Sequence, residues 1–246
     1  MSDSRIALIT GANKGIGFET ARQLGAQGLT VLIGARSTER GEQATADLKA
    51  EGYNAQFIHL DVTNSDHIQA ATQHIADTFG RLDVLVNNAG VQIESDNWGI
   101  NNATSIPVGT LRDTFEINFF GLIELTQALL PLLEQSDAGR VVNVSSILGS
   151  LTLHAQPGSP IYGSKLLAYN ASKTALNQFT VHLAAQYADS TLRVNSAHPG
   201  WVRTDMGGSD ATMDTESGAK TIVDLTAAGD AVPNGAYEHL GHALPW

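Results

Sequence analysis

The chain has no cysteine, which excludes disulfides, zinc–thiolate sites and thiol nucleophiles. Charge is sparse as well. Only 16% of the 246 residues are charged, and 14 Lys and Arg stand against 25 Asp and Glu, a net charge of −11. That balance repels phosphate backbones and no basic patch offsets it, so no nucleic-acid partner is expected. Long hydrophobic runs are missing too. No stretch approaches the ~20 apolar residues that span a bilayer, and Met1 to Arg5 lead into an apolar run too short for a signal peptide. The expectation is a soluble, cytoplasmic protein with no membrane partner. Metal ligation is not expected either: His239 and His242 stand three apart without a third ligand and read as exposed polar residues.

What is present suffices for one substantial core, at 42% hydrophobic residues. Short β-type runs (Ile6 to Thr10, Thr30 to Gly34, Ala55 to Leu60, Leu82 to Asn87, Arg140 to Ser145, Leu192 to Ala197) read as strands. Several are continuously apolar, as in parallel strands covered on both faces. Between them, helical patterns run over Ile16 to Gln27, Glu39 to Glu51, Asp66 to Phe79, Leu111 to Glu134 and Tyr169 to Tyr187. Asn64 and Ser65 look like the start of the third helix. This alternation predicts a doubly wound α/β fold, its mostly parallel sheet covered by helices on both faces, in a single domain over residues 1–246. Val91 to Gly109 and Leu148 to Gly163 lack a period and read as loops. After Trp201 only Glu216 to Ala227 reads as a helix, so the segment from about residue 200 is expected to cover a substrate pocket.

Chemistry concentrates at the strand ends. The first strand runs into Thr10-Gly11-Ala12-Asn13-Lys14-Gly15-Ile16-Gly17. Glycines there permit a tight turn and close approach of a pyrophosphate to a helix N-terminus, although a plain strand-to-helix turn is the alternative. The second strand ends in Gly34-Ala35-Arg36-Ser37, with no acid to bind ribose hydroxyls. Arg36 and Lys14 therefore point to a 2′-phosphate and to NADP(H), against the alternative of two solvated surface cations. Tyr169 and Lys173 lie four apart and so share a helix face. A free phenol titrates near 10; moving it toward neutrality takes roughly 3–4 kcal/mol, which an ammonium and a cationic nicotinamide ring would supply.

Taken in order, Thr10 to Gly17, Asn87-Asn88-Ala89-Gly90, Asn118, Ser145-Ser146, Tyr169 with Lys173, and Pro199-Gly200 resemble a short-chain dehydrogenase/reductase. Asn13-Lys14, Leu82 to Val86 and Asn118-Phe119-Phe120-Gly121 look most similar to the NADPH-dependent carbonyl reductase branch, and the closing Leu244-Pro245-Trp246 resembles plant-type members. The resemblance implies a Rossmann-type fold and the reversible reduction of an aldehyde or ketone to an alcohol, with a small carbonyl or alcohol compound as partner. It makes Tyr169 the general acid, Lys173 the holder of the nicotinamide ribose, Ser146 rather than Ser145 the group that polarises the carbonyl, and Asn118 the anchor of a relay water. It gives Gly11, Asn13, Lys14 and Ile16 to the phosphates and ribose, and Arg36 to the 2′-phosphate. Asp61 and Val62 would flank the adenine, Asn88 its ribose side, and Val202 and Thr204 the carboxamide.

One spacing departs from the family pattern. Ser146 and Tyr169 lie 23 positions apart, longer than in compact members, with the excess in the Pro- and Gly-containing loop. Tyr162 lies there too, but no lysine follows it at four, so Tyr169 keeps the role. In the family such an insertion can cover a helix face used for oligomer contacts, which leaves both a monomer and a homo-oligomer open. An NAD-linked alcohol or sugar dehydrogenase, and a non-catalytic dinucleotide sensor, are the alternative readings. Trp98, Leu148, His154, Trp201 and Met206 are the candidate pocket-lining residues.

Overall fold

The computed structural model describes residues 4–95, 97–229 and 231–246. Strands β1 (Ile6–Thr10), β2 (Thr30–Ala35), β3 (Ala55–His59), β4 (Val84–Asn87), β5 (Arg140–Val144) and β6 (Arg193–Ala197) alternate with helices α1 (Gly15–Ala26), α2 (Thr38–Ala50), α3 (Ser65–Phe79), α4 (Val108–Phe115), α5 (Gly121–Leu133), α6 (Leu151–Ala155) and α7 (Leu167–Gln186). The chain closes with α8 (Thr215–Leu225), β7 (Tyr237–His239) and β8 (His242–Ala243). The sheet order is β3-β2-β1-β4-β5-β6-β7-β8, parallel throughout except for the β7–β8 pair. The expected doubly wound α/β fold is present. Its order reverses between β1 and β4, where such sheets open a crevice at the carboxyl ends of their strands.

The period of two sorts the strand side chains onto two cores. Leu8, Leu32, Leu85, Val141 and Val194 face one side and pack with residues of α3, α5 and α7, among them Ile75, Leu125 and Leu176. Ala7, Ile9, Val31, Val84 and Val142 face the other and meet α1, α2 and α8 through Leu24, Leu48 and Ile222. Helix starts follow side-chain chemistry: Ser37 accepts from Arg40 N, Asn64 from Asp66 N and His67 N, and Asp214 from Ser217 N.

The structure differs from the sequence reading in places. The expected helix over Leu111 to Glu134 starts at Val108 and is interrupted by a π-turn, Glu116–Phe120. That 26-residue helical run is long and apolar enough by composition to cross a membrane, contrary to the expectation that no stretch comes close. Here Leu122, Leu125, Leu129 and Leu133 are committed to the core against the sheet. The segment Leu148 to Gly163 is not all loop: a 3-10 turn (Ile147–Gly149) and α6 lie in it, α6 starting at Ser150, which accepts from Leu153 N. Just past its end, Lys165 N donates to Ile100 O of the other expected loop at 2.8 Å. β7 and β8 were not expected. They form a hairpin whose two linking residues, Leu240 and Gly241, both have positive φ (50° and 76°), as a tight hairpin turn requires.

A buried polar ladder crosses the sheet below the crevice. Asn87 Nδ2 donates to Thr126 Oγ1 at 2.9 Å and to Asn143 Oδ1 at 2.8 Å; Asn143 Nδ2 donates to Thr180 Oγ1 at 2.8 Å, which lies 2.8 Å from Ser196 Oγ. The ladder fixes β4, β5, β6 and helix α7 in register. Replacing Asn143 by Ala strips a hydrogen bond from two fully buried groups, so a loss of about 2–3 kcal/mol is expected. Thermal unfolding would read it as a drop of roughly 5–10 °C in Tm; an unchanged Tm would contradict a structural role for the ladder.

Candidate active site

At the carboxyl ends of β1, β4, β5 and β6 lies a cleft of about 900 Å³. Its floor begins with the glycine loop. Gly11 and Gly15 have φ of +64° and +59°, which L side chains rarely adopt, and a Cβ on Gly17 would sit 2.5 Å from Asn88 Nδ2. Asn88 closes the loop from β4, donating from Nδ2 to Thr10 O at 2.8 Å. Helix α1 has no side-chain cap of its own at Lys14, so its first-turn N–H groups stay open toward the cleft. That arrangement fits a dinucleotide pyrophosphate.

Every residue expected at the cofactor site lines this cleft: Gly11, Asn13, Lys14, Ile16, Arg36, Asp61, Val62, Asn88, Tyr169, Lys173, Val202 and Thr204. Arg36 is exposed at the end of β2. Lys14 forms an ion pair with Asp205 across the cleft, so it faces the cleft with its charge already partnered. Burial pushes Asp61 upward, but hydrogen bonds from Thr63, with Arg36 and His67 nearby, outweigh it and hold the carboxyl below its ordinary value. Thr204 packs against the glycine loop, and a Cβ on Gly218 would fall 2.6 Å from Val202, so that glycine lets α8 approach the cleft wall.

The opposite wall is built by β5 and α7. Tyr169 and Lys173 are buried on one face of α7, with Lys173 Nζ 5.8 Å from the Tyr169 ring centroid and donating to Val144 O at 2.8 Å. Ser146 stands close enough to the Tyr169 phenol to favour its ionised form, and its Oγ accepts from Leu148 N at 3.2 Å, while Ser145 Oγ, deeper in, is buried without a partner among the described residues. Asn118 sits in the π-turn, a helix irregularity common at functional sites. It is fully buried and not on the cleft surface: its Oδ1 accepts from Val91 N and its Nδ2 donates to Val91 O, both at 2.8 Å. Its Oδ1 and Lys173 Nζ flank the same spot, 3.3 and 3.4 Å from where a Cβ on Gly90 would stand.

The electrostatics differ from the sequence reading. There the lowering of the phenol's pKa is assigned to Lys173 together with a bound nicotinamide cation, whereas the chain's own contribution runs the other way. Burial dominates: it pushes Tyr169 up to about 12, with Ser146 opposing, and pulls Lys173 down to about 8. Burial disfavours the charged form of each, while at neutral pH Lys173 still keeps its proton.

Of the expected pocket residues, Trp98, Leu148, Trp201 and Met206 line the cleft. Trp98 meets Tyr169 edge-on, with ring centroids 5.7 Å apart. His154 does not line it. Its Nε2 lies 2.9 Å from Leu148 O, and Lys165 Nζ lies 3.3 Å from its Nδ1. Two participants had no signal in the sequence. His198 lines the cleft, and burial, aided by His239, pulls it down to about 3, which keeps it neutral. Tyr237 donates its phenol hydrogen to Ser146 O and stacks on Trp246, tying the chain's end to the serine.

Similarity to known proteins places the chain in a family. Residues 5–215 match the short chain dehydrogenase family. The chain belongs to that family. It is 36% identical over 235 residues to short-chain dehydrogenase anuI of Penicillium roqueforti, covering 91% of this chain and 89% of that one. It is 34% identical over 290 residues to carbonyl reductase (NADPH) 1 of Mus musculus, with full coverage of both. Among solved structures it superposes on NADPH-bound carbonyl reductase from chicken fatty liver with a TM-score of 0.85, 25% identity and 99% coverage of each chain. This short-chain dehydrogenase/reductase is thus an oxidoreductase of a family that uses nicotinamide dinucleotides.

The lysine shift has a testable sign. Between about pH 8 and its unfolded value near 10.5, the unfolded chain still holds a proton that folded Lys173 has released, so stability rises with pH. Above pH 10 the raised Tyr169 acts oppositely, because the folded state keeps a proton the unfolded one has lost. In denaturant titrations of the cofactor-free protein, the wild type is expected to gain up to about 3 kcal/mol on Lys173→Met between pH 7 and pH 10. A constant difference would contradict a buried, depressed lysine.

Proposed function

We propose that this protein reduces an aldehyde or ketone to the alcohol with NADPH, reversibly. The observation that carries the reading is the Tyr169 phenol, next to Ser146 and buried beside Lys173 in the wall of a cleft with a glycine-loop floor. When bound, the cofactor supplies a hydride to the carbonyl carbon. The chain's own residues do the remainder. Ser146 donates a hydrogen bond to the carbonyl oxygen and orients it, Tyr169 gives its proton to that oxygen as negative charge develops, and the Lys173 ammonium stabilises the phenolate left behind. His198 and Trp201 lie on the same cleft, and the half-buried Trp98 shields the acid from water.

The choice of NADPH rests on the end of β2. Arg36 stands exposed on the cleft lip where an NAD site would place an acid. A charge-assisted pair with a 2′-phosphate is lost in Arg36→Ala, which is expected to raise the Kd for NADPH roughly 10–100-fold and leave that for NADH within about twofold. Equal effects on both, or tighter binding of NADH by the wild type, would favour an NAD-linked alcohol dehydrogenase instead.

The reaction itself is tested by mixing the protein with NADPH and a panel of activated ketones and aldehydes. Consumption of NADPH is expected in the wild type. Tyr169→Phe removes the acidic proton while keeping the ring, so turnover should fall by about a thousandfold or more with NADPH binding nearly intact. Retained turnover in that variant would contradict Tyr169 as the acid.

A further inference from the structure

Helix α7 carries the reacting phenol in its first turn, where a helix is weakest. Leu167, Ala168 and Tyr169 present backbone N–H groups with no intrahelical acceptor, and Leu166, at the capping position, has no side chain that can take them. The acceptors arrive from more than sixty residues away. Glu94 Oε2 accepts from Tyr169 N at 2.7 Å and Glu94 Oε1 from Ala168 N at 3.0 Å, while Asn102 Oδ1 accepts from Leu167 N at 3.1 Å. Asn102 Nδ2 donates to Glu94 Oε1 at 2.8 Å, locking the two caps together. A carboxylate at this end also meets the positive end of the helix dipole.

The segment that delivers Glu94 is itself held in place. Three residues earlier, Val91 is clamped at both backbone atoms by Asn118. Beyond it, Trp98 packs on the Tyr169 ring, and Trp98 O accepts from Ser164 Oγ at 2.6 Å. Ser164 O in turn accepts from Asn170 Nδ2 at 2.9 Å. The same segment therefore walls the substrate side of the cleft and fastens the turn that bears the acid. Lys173 lies a full turn further in, anchored on β5 through Val144 O, and does not depend on this cap.

We infer that Glu94, seconded by Asn102, is the positioning residue for Tyr169: its carboxylate orders the first turn of α7 and so sets where the phenol stands. This rests on Tyr169 being the acid. Loss of such a cap shifts the balance between ordered and frayed first turns by about tenfold.

Hydrogen exchange and kinetics on the full chain decide it. In Glu94→Ala, the amides of Ala168 and Tyr169 are expected to exchange about tenfold faster while those from Lys173 onward keep wild-type rates. kcat should fall by a similar factor with the Kd for NADPH within about twofold, since Lys173 and the glycine loop are untouched. Glu94→Gln, which keeps one carbonyl acceptor, should lie between the wild type and Glu94→Ala in both measures. Unchanged exchange at Ala168 and Tyr169, faster exchange along the whole helix, or faster first-turn exchange with wild-type kcat would each overturn the assignment. The exchange experiment needs no substrate, so a failed cap and a failed reaction are told apart. A wild type that reduces no carbonyl sinks the acid role and this inference with it, even where the exchange pattern holds.

Discussion

Two ionisable groups share one buried face of a helix, and burial works against a charge on either of them. Burial lifts Tyr169 to about 12 and lowers Lys173 to about 8. The cost of burying an unpaired charge is large in a medium of low dielectric, so both shifts run toward the neutral form, yet at neutral pH Lys173 still holds its proton and Tyr169 holds its own. Much of the molecule serves to keep the pair in that state. One of the two cores fixes α7 against β5 and β6 through Leu176 and Leu183, the polar ladder through Thr180 sets its height, and Tyr237 and Trp246 bring the end of the chain onto Ser146.

A phenol held near 12 is a poor acid on its own but a responsive one. In a buried site, a cation brought beside the phenol shifts its pKa far more than the same cation in water. The chain has few cations to spare at a net charge of −11. Lys14 is already paired with Asp205, whose carboxyl it holds below the usual range. Arg36 stands exposed on the cleft at the end of β2.

The parts of the structure legible in the sequence were those with local causes. The apolar runs of β1, β2 and β5 and the period of α1, α3 and α7 showed themselves because a covered strand and a half-buried helix each impose a repeat. Boundaries shifted by up to three residues, as at β4, which starts at Val84 rather than Leu82, and at α4, which starts at Val108 rather than Leu111. The glycine loop and the Tyr169–Lys173 pair were legible because their chemistry needs fixed spacing. Features with distant causes were not. β7 and β8 are too short for any alternation and exist because β6 offers an edge. The π-turn under Asn118 is one extra residue in a continuous helical pattern. Glu94 and Tyr237 act on residues far away in the chain, and the direction of the Tyr169 shift depends on burial, which spacing does not encode.

The central claim is that burial sets the resting pKa of Tyr169 and that a bound nicotinamide cation lowers it. The direct measurement is a spectrophotometric tyrosinate titration of the wild type minus Tyr169→Phe, with and without NADP+. Without it, the difference signal is expected near pH 12; with it, the midpoint should move below the ordinary phenol value of about 10. A midpoint near 10 without the nucleotide, or one that ignores its addition, would contradict the account.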